Sequence, residues 1–204
     1  MVGMPTIDEI LTFSDEEPPP GASPWVVAPR ASEIAIVEPD PAWPERFEAV
    51  AARVRDALGA RALALDHVGS TSVAGLPAKP IIDIDLIVAR PADEASWLPQ
   101  LERAGFVLTV REPWWHEHRV LKLADPDANL HVFGPEAPEP WRHRIFRDHL
   151  RRSPDDRARY ADVKREAARA STAAGELMEQ YNARKSAAIR EIYARAFRAA
   201  GIAS

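Results

Sequence analysis

The 204-residue chain contains no cysteine, which excludes disulfide bridges and zinc sites built from thiolates. It has no apolar run that approaches the roughly 20 residues of a membrane-spanning helix. Its first residues also lack the basic and apolar regions of a secretory signal peptide. We therefore expect a cytoplasmic protein that makes no contact with a membrane.

What the sequence does have is the composition of a globular domain, with 46% hydrophobic and 28% charged residues. The charge is distributed unevenly, because residues 1–140 carry a net −12 and residues 141–204 carry a net +7. Such asymmetry indicates either a basic surface for a phosphate-bearing partner or two halves that attract each other. The sequence does not decide between these interpretations, and it neither indicates nor excludes a nucleic acid as the partner.

The pattern divides the chain into an N-terminal arm, residues 1–30, and one domain, residues 31–204. Residues 15–21 contain three acids and three prolines, so we expect the arm to be flexible and dispensable for the core fold. Residues 31–140 alternate between strand and helix patterns and are interpreted as an α/β core. Residues 141–204 carry helical periodicity throughout and are interpreted as C-terminal helices packed against that core.

The hydrophobic pattern predicts individual elements: a strand at residues 34–37, a helix from about residue 43 to 59, a hairpin of residues 118–123 and 129–133, and C-terminal helices at about 141–152, 154–170 and 175–199. Pro99 lies inside a helical pattern at residues 93–104 and indicates a kink or a later helix start. Ser153 followed by Pro154 is a typical helix start, with a serine cap and proline at the first helical position.

One short segment concentrates the residues that could bind a ligand. An apolar strand at residues 62–68 leads into Gly69 and Ser70, where the small side chains let backbone N–H groups approach an anion. A second apolar strand follows at residues 81–88. Lys79 lies between the turn and this strand, where it could neutralise phosphate charge; an ordinary surface lysine is the alternative interpretation.

The second strand carries two acids, Asp83 and Asp85. Side chains alternate along a strand, so the two carboxylates share one face and their Cα atoms lie roughly 6.5 Å apart. Both could therefore bind one hard divalent cation, which would offset the cost of charge on an otherwise apolar strand. The alternative is that the pair lines the solvated face of an edge strand.

These residues resemble the signature of the GrpB family, a branch of the nucleotidyltransferase superfamily, in which Gly-Ser and a later glycine precede Asp-x-Asp on the next strand. The resemblance extends from about Ile34 to about Ile192. Downstream it includes residues 129–132 and 146–151, and the pairs Tyr160 with Lys164 and Tyr181 with Lys185. Ala74 stands where the family usually has proline. His131 is the polar residue at the place where active members of the superfamily add a third carboxylate.

The resemblance implies an α/β (α+β) fold, with a nucleotidyltransferase-like mixed β-sheet, flanking helices and a C-terminal helical half. It implies a protein that binds a nucleoside triphosphate and, with Mg²⁺ or Mn²⁺, transfers the nucleotidyl group to an unknown acceptor. The catalytic residues would be Asp83, Asp85 and His131, and the metal ligands would be Asp83 and Asp85. The nucleotide-binding residues would be Gly69, Ser70, Thr71, Ser72, Lys79 and Arg147.

Two further functions stay open. A non-catalytic nucleotide-binding or assisting module fits the occurrence of GrpB-like domains fused to dephospho-CoA kinases. A metal-dependent phosphohydrolase would instead use histidines as ligands, with His67, His116, His118 and His131 as the candidates.

A basic stripe also recurs at helical spacing, formed by Arg144, Arg147 and Arg151. We expect it to face the phosphate turn, because the two halves of the chain have opposite charge.

Overall fold

The computed structural model describes residues 3–14, 18–30 and 33–203. At its centre lies a five-stranded mixed sheet with the strand order β1-β2-β5-β4-β3. The strands are β1 (Ala64–Val68), β2 (Ile82–Ile87), β3 (Val107–Glu112), β4 (His118–Ala124) and β5 (Asp127–Phe133). β2 and β5 run parallel, whereas the other neighbouring strands pair antiparallel. The predicted mixed α/β class and the predicted hairpin are therefore confirmed.

Helices cover both faces of this sheet. They are α1 (Ile7–Leu11), α2 (Trp43–Leu58), α3 (Leu98–Arg103), α4 (Glu139–Arg152), α5 (Pro154–Ala174) and α6 (Met178–Ala199). α2 and α3 pack on one face and α4 to α6 lie over the other. α3 has Pro99 in its first turn, which confirms the later start that the proline indicated. Among the described residues, no helix is both long and apolar enough to cross a membrane.

The alternation along β2 decides which residues meet which layer. Ile82, Ile84 and Leu86 are fully buried against the side chains of α2. Because successive side chains point to opposite faces, Asp83 and Asp85 must point toward the C-terminal helices. A slip of one residue in pairing would bring both carboxylates into the apolar layer, so burial of the isoleucines fixes the register.

α5 begins at the predicted serine cap, but it extends to Ala174 rather than to about residue 170, and α6 begins at Met178 rather than at about residue 175. The Ser153 hydroxyl accepts a hydrogen bond from the backbone N–H of Asp156, and Pro154 occupies the first position of α5. Gly175 ends this helix in the left-handed conformation, with φ of 64°.

The prediction of a strand at residues 34–37 is wrong. Of this segment, Val37 alone makes a β-bridge, exchanging both backbone hydrogen bonds with Ala78. Ile34 instead packs against Ala167, Ala168 and Tyr181 of α5 and α6. The apolar residues of this segment therefore cover the C-terminal helices rather than extend the sheet.

The described parts of the arm lie against the domain. Ile10 is buried against Tyr193 and Phe197 of α6. The guanidinium of Arg142, itself fully buried, donates to the backbone carbonyls of Glu9, Ile10 and Thr12. These contacts pack the arm against α4 and α6, and its dispensability for the core stays a prediction. Part of the predicted helix break (residues 15–17) and the predicted domain boundary at residues 31 and 32 lie outside the described residues.

Candidate functional site

A cavity of about 310 Å³ lies between the polar face of the sheet and the C-terminal helices. Of the residues predicted from sequence, its wall contains Gly69, Ser70, Thr71, Lys79, Asp83 and His131. The predicted residues Ser72, Asp85 and Arg147 do not line it. The C-terminal helices contribute five further side chains to the wall. The family resemblance included four of them without assigning a role, namely Tyr160, Lys164, Tyr181 and Lys185, whereas His143 was not identified from the sequence.

The two acids of β2 differ in their surroundings. Asp83 faces the cavity, and its Oδ1 accepts a hydrogen bond of 2.8 Å from the Asn129 side-chain amide. Asp85 is only 1% exposed, and its Oδ2 lies 2.8 Å from Nδ1 of His143. Within the part of the chain that the structure describes, Oδ1 of Asp85 is buried without a hydrogen-bond partner. A buried carboxylate oxygen without a donor is costly, so this atom is a place where a further ligand would be stabilising.

His143 is the functional neighbour that sequence reasoning missed. Burial alone would lower the pKa of this imidazole, but the charge of Asp85 and the hydrogen bond to it raise the pKa to about 9. His143 is therefore protonated at neutral pH and forms an ion pair with Asp85. The available signal was indirect: a carboxylate on an apolar strand requires a cationic partner, and α4 is rich in basic residues.

The turn after β1 brings backbone close to the acids. Gly69 has φ of 66°, and a Cβ placed there would overlap the carboxylate of Asp83. Glycine is therefore required both by its conformation and by the lack of space. The neighbouring side chains hold the turn itself: Ser72 Oγ donates to the Gly69 carbonyl at 2.6 Å, and Thr71 Oγ1 donates to the Ile81 carbonyl at 3.2 Å.

Three lysines contribute amino groups to the cavity. Lys164 is 2% exposed and its Nζ donates to the Pro77 carbonyl at 2.6 Å. Lys185 is 8% exposed and its Nζ lies 3.9 Å from the centre of the Tyr181 ring. Lys79 is half-buried and donates to the sulfur of Met178 at 3.1 Å.

Burial lowers the pKa of all three lysines, to about 6 for Lys164 and to about 7 for Lys185, while the mutual repulsion of the ammonium groups acts in the same direction. Asp83 is the one carboxylate among the described residues that line the cavity. When the three lysines are protonated, their positive charge exceeds the negative charge of the single carboxylate. This excess favours binding of a polyanion.

The basic stripe of Arg144, Arg147 and Arg151 faces β1 and the turn. Arg147 donates to the His67 carbonyl at 3.0 Å, and Arg151 donates to the Ser72 carbonyl at 2.8 Å. These arginines therefore support the turn from behind, on the side away from the lysines.

The histidines do not form one cluster. His67 bonds to Thr71 and stacks on a phenylalanine, and His116 lies beside the arm. His118 and His131 are stacked, with Nε2 of His118 at 3.1 Å from Nδ1 of His131. In residues 3–14, 18–30 and 33–203, no group of three or more histidine, aspartate or glutamate side chains is arranged to hold a metal ion.

A short hydrogen-bonded chain sets the orientation of His131. Nδ1 of His118 lies 2.7 Å from the carboxylate of Glu112, and burial lowers the pKa of both histidines, so that both are neutral at pH 7. Burial raises the pKa of Glu112, and the direction of the chain depends on whether that carboxyl is ionised. When it is ionised, Glu112 accepts the Nδ1 proton of His118, and His118 Nε2 then accepts the Nδ1 proton of His131. This tautomer leaves Nε2 of His131 with a free lone pair.

The chain is similar to known proteins over most of its length. A family model described as GrpB protein matches residues 33–195. A UPF0157 protein of Halalkalibacterium halodurans is 47% identical over 168 residues, covering 82% of this chain and 85% of the relative. A dephospho-CoA kinase of Mycolicibacterium paratuberculosis is 34% identical over 80% of this chain, which spans 46% of that relative.

Among solved structures, the crystal structure of the conserved protein GrpB from Enterococcus faecalis superposes with a TM-score of 0.69 at 28% identity. The match covers 80% of this chain and 98% of that one. The family match spans both layers of the cavity, from the sheet to α6, and the chain belongs to the GrpB family.

Proposed function

We propose that the chain binds a nucleoside triphosphate in the lysine-lined cavity and transfers its nucleotidyl group to an acceptor, in the manner of the nucleotidyltransferase superfamily. The observation that carries this proposal is the convergence of Lys79, Lys164 and Lys185 on a cavity bordered by Asp83 and a glycine turn. Buried lysines without matching acids are costly in the absence of a ligand, and a polyphosphate would neutralise them.

The lysines would bind the phosphates as point charges, and the backbone N–H groups after Gly69 would add hydrogen bonds. A bound polyphosphate stabilises the protonated amines, so Lys164 and Lys185 take up protons as it binds. When the acceptor oxygen attacks the α-phosphorus and the bond to pyrophosphate breaks, the leaving group gains negative charge. The same lysines would stabilise that charge.

The donor set at β2 fits Mg²⁺ or Mn²⁺. Asp83 and Asp85 supply hard carboxylate oxygens on one face, and the unpartnered buried Oδ1 of Asp85 is an acceptor that a cation would satisfy. Mg²⁺ commonly uses one or two carboxylates together with substrate phosphates and water, so two protein ligands suffice. When bound, the cation supplies neutralisation of phosphate charge.

His131 would receive the proton of the acceptor hydroxyl. Its Nε2 carries the free lone pair in the tautomer that Glu112 and His118 favour. This role would place a neutral base where the superfamily has a third carboxylate.

A non-catalytic module is the second candidate. The observation that favours it is the region of similarity within dephospho-CoA kinases, of which this chain spans less than half. In this alternative the cavity binds the nucleotide and the acids hold its cation, without transfer. The separation of the histidines gives a phosphohydrolase no comparable support.

Calorimetric titration with ATP tests the proposal, in the presence and absence of Mg²⁺. We expect binding that the double variant Lys164→Met, Lys185→Met weakens at least tenfold, and cation dependence that Asp83→Asn, Asp85→Asn abolishes. Arg53→Met, which removes an exposed positive charge of α2 on the other face of the sheet, is the control and should bind as the wild type does.

Incubation with α-phosphate-labelled ATP and a mixture of small alcohols and proteins then distinguishes the two candidates. Labelled acceptor supports transfer, whereas Mg²⁺-dependent binding without any labelled product supports the module. The absence of binding by any nucleoside triphosphate refutes both.

A further inference from the structure

A second cavity, of about 270 Å³, lies behind the glycine turn and between α4, α5 and α6. It shares part of its wall with the first cavity: Gly69, Ser70, His143 and Tyr160 line both. The two cavities therefore adjoin at one wall, where the hydroxyls of Ser70 and Tyr160 hydrogen-bond to each other beside the imidazole of His143.

The remaining wall of the second cavity is mostly apolar. It consists of the side chains of Phe146, Leu150, Ile189 and Tyr193, together with Arg147. Ring centres of Phe146 and Tyr193 lie 4.6 Å apart, so the wall presents aromatic surface. The Arg147 guanidinium already donates to a backbone carbonyl and to the adjacent carboxylate of Asp148, so it adds little free charge to the cavity.

The chemical contrast between the cavities matches the two ends of one ligand. The first cavity has three lysines and an acid, which suit phosphate and its cation. The second has aromatic and aliphatic side chains, which suit a flat apolar ring. The shared hydroxyls of Ser70 and Tyr160 lie between them, where a sugar would need hydrogen-bond partners.

We propose that the second cavity is the subsite for the aromatic base of a nucleotide whose phosphates lie among the lysines. This inference rests on the proposed binding of a nucleoside triphosphate and adds where its base lies. A base stacked on aromatic side chains contributes roughly tenfold to a hundredfold in affinity. ATP therefore binds more tightly than inorganic tripolyphosphate, which occupies only the first cavity.

The test compares these two ligands by calorimetry on wild type and variants, all in the presence of Mg²⁺. Ile189→Trp fills the second cavity with an indole; it should lower affinity for ATP at least tenfold and change affinity for tripolyphosphate less than twofold. Ile36→Trp is the matched control, because Ile36 is also half-buried but lines a different groove. Circular dichroism establishes that each variant is folded. If Ile189→Trp does not fold, Phe146→Leu removes a ring from the same wall and should show the same selective loss.

Three results would overturn the inference. Equal losses for both ligands in the cavity variants would mean that the wall acts only through overall structure. Unchanged ATP affinity in both variants would mean that the second cavity is a gap in packing. Equal affinity of the wild type for ATP and tripolyphosphate would refute the base subsite while leaving the phosphate site intact. Failure of both ligands to bind the wild type would instead refute the proposed function on which the subsite rests.

Discussion

Replacing Lys164 by methionine should stabilise the ligand-free protein at neutral pH. The side chain is 2% exposed, and burial lowers the pKa of its amine to about 6 from the ordinary value of 10.5. Between these two values the unfolded chain binds a proton that the folded chain does not. Stability therefore rises with pH through this window, by about 1.4 kcal/mol per pH unit.

The magnitude at pH 7 follows from that slope. Relative to a group whose pKa does not change on folding, Lys164 lowers the free energy of unfolding by about 5 kcal/mol at pH 7. Methionine has a similar length and removes this penalty, but it leaves the Pro77 carbonyl without its donor, at a cost of about 1–3 kcal/mol. The net stabilisation is about 2–4 kcal/mol at pH 7. At about pH 9.5 the penalty has fallen to about 1.4 kcal/mol, so the variant should be no more stable than the wild type.

Urea unfolding followed by circular dichroism measures this difference at both pH values. Arg53→Met removes an exposed positive charge on the other face of the sheet and serves as the control. The reasoning is refuted if Lys164→Met and the wild type differ by the same free energy of unfolding at about pH 7 and about pH 9.5. Such a result would show that the amine is protonated in the folded state.

Other predictions concern stability. Deleting residues 1–30 removes three backbone carbonyls that accept hydrogen bonds from buried Arg142, and should lower the free energy of urea unfolding by about 3–5 kcal/mol; an unchanged urea midpoint would contradict the docked arm. Gly69→Ala should destabilise more than Gly75→Ala, since both glycines have positive φ but only the first faces a neighbouring carboxylate; equal losses would show that conformation alone matters. In Asp156, hydrogen bonds from an arginine and a histidine lower the pKa to about 2 from 3.8, so Asp156→Asn should cost about 2–3 kcal/mol above pH 3.8, and this gap should close as pH falls through about 2 in an acid titration.

The sequence predicted those features that depend on neighbours along the chain. The alternation at residues 82–86 fixes which face of β2 is apolar, and the serine cap and proline fix where α5 begins. The turn at Gly69 and the acid pair were recognisable for the same reason, because they lie within one segment and their periodicity is local.

The partners of these acids could not be predicted in this way. His143 lies 58 residues from Asp85 along the chain, and its contact depends on how α4 crosses the sheet. Arg142 belongs by sequence to a basic helix, yet it is fully buried because the arm supplies acceptors from 130 or more residues away. The segment at residues 34–37 has the propensity of a strand, but its apolar side chains pack on helices, and tertiary contacts override propensity.

The charge asymmetry between the halves of the chain has two sources in the structure. The arginines of α4 contact the chain itself, through the carbonyls of β1 and the turn and, at 3.8 Å, through Asp66. The lysines of α5 and α6 instead face the cavity. The attraction between the two halves is therefore present in the structure, and a different set of basic residues is left for the proposed phosphate-bearing ligand.

The ligand-free cavity and the proposed polyphosphate would favour opposite protonation states of the same two lysines. Without a ligand, Lys164 and Lys185 are most stable as neutral amines, and the free energy of unfolding rises with pH as the penalty for burying their charge disappears. The proposed polyphosphate would interact most strongly with the protonated amines, so its affinity should fall over the same pH range. The two pKa values would therefore make the ligand-free protein more stable as the pH rises. The additional stabilisation by a bound polyphosphate would instead be largest near neutral pH. Lysines that only supported the fold would produce the first trend without the second.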